Sequence, residues 1–260
     1  MTQWLYTFPE PLLLTLSATF LAGVILALPK LTQRVPFLRA NEANTDFVLR
    51  MQVPIFTMTA LVLAFTLVQA DANFRRADPQ VTAEASQINQ LDRLLARYGA
   101  PPATAARPLL LAYARSIVTD EWPQMVKTGG SARTAGFYTP VSRAILALDP
   151  EAGRESLIYS EMLKLLESIA ASRDARLDSV KIALPPIYWE VIGFAVLVLL
   201  MVSATVMPSP YRRAVLAGQM AVLGAFIGFA FIMDQPFKGE TVVLSEAISH
   251  AADAMARRDR

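Results

Sequence analysis

Five polar residues recur at intervals of seven, Thr45, Gln52, Thr59, Thr66 and Asn73. On a helix slightly under-wound to about 3.5 residues per turn they form one stripe. Gln69 lies beside it, three residues beyond Thr66. These are uncharged hydroxyl and amide groups, and none is an acid or base that catalysis could use near neutral pH. Repeated around an axis, such groups can replace part of an ion's hydration shell without holding the ion. Two readings stay open. The stripe lines a watery path, or its threonines bond back to their own helix and its glutamines mark the ends of a packed seam.

Other chemistry finds no residues. The chain has no cysteine, which removes disulfides, thiolate nucleophiles and Cys-ligated zinc. Its one histidine, His250, leaves no paired-histidine metal motif. Gly129-Gly130 is not followed by the Lys-Ser/Thr of a phosphate loop. The carboxylates show no motif spacing and read as solvated helix faces. A net charge of +2, with no basic stripe interleaved with aromatics, excludes a nucleic-acid surface. No catalytic residue, metal or cofactor is expected, and the chain does not read as an enzyme.

The stripe needs a helix in an unusual solvent. Of 260 residues, 54% are apolar and 18% charged, against a usual quarter charged. Four stretches carry no Asp, Glu, Lys, Arg or His: 11–29, 51–70, 191–211 and 214–233, of 19, 20, 21 and 20 residues. Each is long enough to cross about 30 Å of hydrocarbon as a helix. This is the pattern of a multi-pass membrane protein. Residues 1–10 hold no Lys or Arg, and Leu28-Pro29-Lys30 is a poor cleavage site, so the first stretch is expected to remain as a span. Pro54, one turn inside the second stretch, leaves the Arg50 carbonyl without its helical donor and should bend the helix. In the fourth, Gly218, Gly224 and Gly228 with interleaved alanines make a flat face for close helix approach, within a subunit or between subunits.

Residues 71–190 hold 14 basic and 14 acidic side chains, the density of a soluble domain. Val81, Ile88, Leu91, Leu95 and Tyr98 recur at helical spacing until Gly99 and Pro101-Pro102. A second helix is predicted from Thr104 or Pro108 to Trp122-Pro123, a short one after Thr139-Pro140, and the longest over 151–184. Thr128-Gly129-Gly130-Ser131 reads as a connector, and Pro185-Pro186 as the break before the third span. Ser245 is a predicted N-cap for a closing amphipathic helix, with residues 257–260 frayed. The fold class is all-α: four transmembrane helices, with a helical extramembrane bundle inserted between the second and third. The parts are 1–70, the first transmembrane pair; 71–186, the helical domain; 187–233, the second pair; and 234–260, a C-terminal extension.

In this order of segments the chain resembles the bestrophin-like family of four-span bacterial membrane proteins. The resemblance rests on Asn41-Glu42, on Leu111-Ala112-Tyr113-Ala114-Arg115 with Glu121-Trp122-Pro123, and on Leu184-Pro185-Pro186. It is most specific at Asp234-Gln235-Pro236-Phe237-Lys238-Gly239-Glu240, where the family typically shows Asp-Arg/Gln-Pro-Phe-Arg/Lys-Gly. Residues 43–47 depart from the family's usual run after Asn-Glu. Asp234, Pro236, Phe237, Lys238 and Gly239 also have a local reading, as a sharp helix exit at the membrane surface.

Bestrophins proper are oligomeric anion channels, so the resemblance implies a homo-oligomer, a pentamer by analogy, passing small ions and anions before cations in the plasma (inner) membrane of a bacterium. The stripe makes the second span the expected lining, with Gln52, Phe56, Thr59, Thr66, Gln69 and Asn73 facing the path and Phe56 at its narrowest point. The competing reading is a non-conducting membrane sensor or scaffold that uses the helical domain. The short loops carry Lys30, Arg34, Arg39, Arg50, Arg212 and Arg213 against Glu42 and Asp46, which by the positive-inside rule puts those loops in the cytoplasm and the helical domain outside. Bestrophins proper keep their helical domain in the cytosol, so the resemblance points the other way.

Overall fold

The computed structural model describes residues 8–32, 42–207 and 209–258. Asn41, Arg34 and Arg39 lie outside them. The described residues form helices and no strand. In chain order these are α1 (Glu10–Thr32), α2 (Glu42–Tyr98), α3 (Pro101–Ser116), a π-helical turn (Ile117–Glu121), α4 (Trp122–Thr128), α5 (Ala132–Leu146), α6 (Arg154–Ser179), α7 (Pro186–Ala204), α8 (Pro210–Met233) and α9 (Glu246–Arg258). Four of them, α1, α2, α7 and α8, are long and apolar enough to cross a membrane.

The longest helix is α2, with 57 residues, not the one over 151–184. It continues through Pro54 and Pro79. The chain divides into two compact units, Met1–Asn73 with Ala183–Thr241, and Phe74–Ile182 with Val242–Arg260. The segment after the fourth span is thus split between them at Thr241.

In the first unit, Leu21, Ile25, Leu63, Ile192, Leu199, Met220 and Leu223 form one buried apolar cluster. Its tightest seam joins α1 to α8. A Cβ placed on Gly224 would lie 2.4 Å from the Ser17 carbonyl oxygen, and one on Gly228 2.4 Å from Ser17 Oγ. Only glycine permits that approach. Gly218 has nothing within 4 Å, so the flat face works through two of its three glycines inside one protomer.

The second unit buries Val81, Ile88, Leu91 and Leu95 of α2, together with Leu110, Tyr113, Val141, Ile145, Met162, Ile169 and, from α9, Ile248 and Met255. Gly99, at φ 77°, supplies the left-handed residue that ends α2. The predicted second helix is interrupted. The Trp122 N–H donates to the Ile117 carbonyl, five residues back, and forms the π-helical turn before α4. Of the tail expected to fray, Arg257 and Arg258 are helical, and Arg258 donates from Nε to Asp92 Oδ2 at 2.9 Å; residues 259–260 lie outside the described residues.

Gly224→Val is expected to lower the stability of the solubilised protein by about 1–3 kcal/mol through overpacking, whereas Gly218→Ala should leave it unchanged or slightly raised. Thermal unfolding of the two variants side by side checks this, and equal midpoints would mean that α1 and α8 do not meet at Ser17.

Candidate ion pathway and buried charge network

The polar stripe of α2 faces into its own protomer. Thr45, Gln52, Thr59, Thr66 and Asn73 are each at most 6% exposed. Thr59 Oγ1 donates to the Ile55 carbonyl at 2.8 Å, and Thr66 Oγ1 to that of Val62 at 2.9 Å. Gln52 Nε2 donates to Gln219 Oε1 of α8 at 2.8 Å, Thr45 Oγ1 accepts the Met207 N–H at 3.2 Å, and Gln69 Nε2 donates to Asn73 Oδ1 at 3.3 Å. Within a single chain this is the packed-seam arrangement. A hydroxyl in hydrocarbon that bonds its own carbonyl needs nothing else.

The opposite side of α2 is bare. Pro54, Thr57, Leu61, Ala64 and Val68 are exposed, and Arg50 shares their face at one end. Open apolar grooves flank the helix. One of about 270 Å³ runs between α2 and α8, lined by Phe56, Leu63, Leu67, Val222 and Phe226 among others. Two more, of about 220 and 320 Å³, lie between α2 and α7, beside Phe65 and Ile187 and beside Met58 and Phe194. Phe56 is half-buried and belongs to a groove wall.

Asp234-Gln235-Pro236-Phe237-Lys238-Gly239-Glu240 forms a clasp at the ends of three helices. Asp234 Oδ1 accepts the buried Leu184 N–H at 2.5 Å, just before α7. Glu10, first residue of α1, accepts the N–H groups of Glu240 at 3.1 Å and Thr241 at 2.5 Å and the Thr241 hydroxyl at 2.7 Å, while its own N–H donates to Glu240 Oε2 at 3.3 Å. Pro236 and Phe237 are buried, and Gly239 turns at φ 108°. The motif read as a helix exit also ties that exit to the starts of α1 and α7.

In the second unit the structure assembles a charge network that sequence spacing did not reveal. Arg176 of α6 is fully buried. Its Nε donates to Glu84 Oε2 at 2.6 Å, and its Nη2 to Glu84 Oε1 at 3.2 Å and Glu121 Oε1 at 2.7 Å. Its guanidinium lies 5.4 Å from the Trp122 ring centre, within cation–π range. Arg173, one turn earlier, makes a short double contact with Glu121, whose Oε2 also accepts the Ser131 N–H at 3.1 Å. Glu84, Glu121 and Asp92 are therefore not solvated helix faces. All three are buried, and each is paired with arginine.

The π-helical turn places Glu121 among these groups, because one extra residue in a turn shifts the register of the helix beyond it. Glu121 was visible in sequence only as part of Glu121-Trp122-Pro123; its arginine partners lie 52 and 55 residues away and carry no local signal. His250 is exposed, on a groove of about 530 Å³ with Phe74, Asp78 and Glu246. Among the described residues no group of His, Cys, Asp and Glu could hold a metal.

A family model for the bestrophin-like domain matches residues 13–248. The chain belongs to the bestrophin-like family. Its backbone is similar to that of an isoleucine-to-threonine variant of a bacterial bestrophin homologue from Klebsiella pneumoniae, with a TM-score of 0.66 at 13% identity over 94% of this chain and 99% of that one. It is also similar to a proline-to-alanine variant of a membrane protein, with a TM-score of 0.61 at 13% identity over 95% and 96%. No curated protein matches the sequence. At this identity the bestrophin likeness speaks for the fold.

Burial pushes the Glu121 carboxyl up, but the hydrogen bonds from Arg173 and Arg176 outweigh it and hold it below its ordinary value of 4.5. A lowered carboxylate contributes stability above its unfolded pKa and loses it as the pH falls through the folded one. Glu121→Gln is expected to cost about 3–5 kcal/mol, since it leaves the buried Arg176 and the partly buried Arg173 with one carboxylate, and to flatten the loss of stability below pH 4.5. Chemical unfolding between pH 3 and 7 (about the range linkage requires) measures both; a wild-type stability at pH 7 would show that the network is dispensable.

Proposed function

We propose that the protein is a homo-oligomeric channel for small anions in the bacterial plasma membrane, with the second span lining the path. The observation that carries this reading is the bare face of α2, flanked on both sides by open apolar grooves. A monomer would leave those grooves to lipid; neighbouring copies around an axis would fill them and turn the bare faces toward one another. Membership of the bestrophin-like family and the likeness to a bacterial bestrophin homologue support an assembly of this kind, a pentamer by analogy.

In this reading Pro54, Thr57, Leu61, Ala64 and Val68 meet the path, and the seam of Gln52, Thr59, Thr66 and Asn73 holds the helix to its protomer. Leu61 and Val68 would form apolar constrictions able to gate by dewetting, and Arg50, in register with Thr57 and Ala64, would place a ring of positive charge at one mouth. The helical domain is extracytoplasmic by the loop charges. Arg75, Arg76, Arg173, Arg176 and Lys181 flank the domain side in sequence and count the other way; of these, Arg173 and Arg176 are paired with carboxylates and weigh less. A cysteine introduced in the Thr128–Ser131 connector should react with an impermeant thiol reagent in intact cells.

Purified protein in liposomes is expected to pass chloride. Arg50→Glu should shift the reversal potential toward cations, and Leu61→Asn should raise flux by wetting the constriction. Thr59→Val with Thr66→Val should leave flux unchanged; a changed flux would return the seam to the pathway. An intact oligomer that passes no ion would support the scaffold reading instead.

A further inference from the structure

Along the membrane helices, hydroxyls bond to their own backbones. Thr15, Ser17, Thr19, Thr57, Thr59, Thr66 and Thr205 each donate to a carbonyl three or four residues back. Ser203 does not. It is 2% exposed, and its Oγ is buried without a hydrogen-bond partner. An unpartnered buried hydroxyl costs free energy that its neighbours avoid.

Ser203 lines a cavity of about 20 Å³ together with Pro29, Val206, Leu216, Arg212 and Arg213. That is room for one water-sized body. The cavity adjoins the start of α8, a helix of 24 residues whose first turn contains no acidic residue. Ser209 caps it, its Oγ accepting the Arg212 N–H at 3.2 Å. A helix start favours negative charge, yet two arginines stand there. Arg212 Nη1 donates to the Met207 carbonyl at 3.4 Å, a neutral acceptor, and among the described residues no carboxylate pairs with either guanidinium. A buried donor, two uncompensated cations and a positive helix terminus converge on one small space.

We propose that this space is a binding site for a small anionic group, a halide or one oxygen of a phosphate, held by Ser203 Oγ, Arg212, Arg213 and the start of α8. The chemistry is that of anion capture at a helix N-terminus, with Ser203 donating the hydrogen bond it otherwise lacks. The site draws on α1, α7 and α8 and on none of the α2 face proposed to conduct. A phosphate could come from solution or from a lipid headgroup; a halide could come only from solution. The free volume fits a single atom of the ligand, so a polyatomic anion would present one oxygen and leave the rest outside.

The test reads binding and not flux, so it stands or falls apart from the channel reading. The solubilised full chain is titrated at constant ionic strength, replacing gluconate by chloride, bromide or inorganic phosphate, and separately with phosphatidylglycerol against phosphatidylcholine. A saturable rise in unfolding temperature is expected in at least one anionic arm; the responding arm distinguishes a free anion from a headgroup. Arg212→Gln and Arg213→Gln should weaken the apparent affinity about tenfold or more, as loss of a charge-assisted hydrogen bond implies. Ser203→Ala gives the sharpest discrimination. In gluconate it should match or exceed wild type, because it removes an unpartnered buried hydroxyl. In the binding anion it should fall below wild type. If Arg212→Gln fails to fold, exposed Arg213 and Ser203→Ala decide the matter. The proposal is overturned if no anionic arm gives a saturable rise, or if Ser203→Ala stays at or above wild type throughout.

Discussion

Inside hydrocarbon a polar group has no water to fall back on, and the transmembrane unit is organised around that constraint. Backbone groups are satisfied within helices. Hydroxyls follow the same rule by bonding their own carbonyls, as Thr59 and Thr66 do. Amides, which have more bonds to make, pair across helices, as Gln52 does with Gln219. Where helices end, and backbone groups lose their internal partners, side chains take over. Asp234 receives the Leu184 N–H, and Glu10 receives those of Glu240 and Thr241. The clasp is thus the end-of-helix version of the rule that shapes the interior of the spans.

The second unit meets a different difficulty. It gathers four charged groups, three of them buried and Arg173 partly so. Two carboxylates and two guanidiniums, Glu84, Glu121, Arg173 and Arg176, balance in formal charge; Arg173 meets Glu121 and Arg176 meets Glu84 through the same Nε–Nη2 edge, and Arg176 Nη2 also reaches Glu121. Such a network contributes less to net stability than an apolar core of equal volume, but it tolerates the loss of no single member. It therefore fixes how α2, the π-helical turn and α6 fit together within the unit. Trp122 and Met125 close it on the remaining sides.

The sequence carried the fold class well, because uncharged runs of 19 to 21 residues have few alternative meanings. Gly99 and the helical recurrence of Val81, Ile88 and Leu91 marked the end and the buried face of α2 correctly. The heptad stripe was legible as a stripe but not as facing inward. Periodicity says which residues share a side of a helix, not what lies against that side. Glu84, Arg173 and Arg176 could not be separated from solvated charges, since burial of a charge depends on partners far away in the chain. The π-helical turn was invisible for a similar reason. Ile117-Val118-Thr119-Asp120-Glu121 has no residue that forbids an ordinary helix, and the shifted register goes with the pairing it makes possible.

The contact of Ser17 with Gly224 and Gly228 also bears on how this sequence can change over time. Backbone carbonyl, hydroxyl and two missing side chains occupy the same few ångströms. A larger residue at 224 cannot be accommodated by trimming position 17, because the obstruction there is main chain. At 228 the obstruction is the serine side chain itself, and a glycine at 17 would relieve it. The first site is closed to gradual substitution, while the second can drift only if position 17 shrinks beforehand. Effects of changes at these three positions will not add, and the order in which they arise will decide which of them survive.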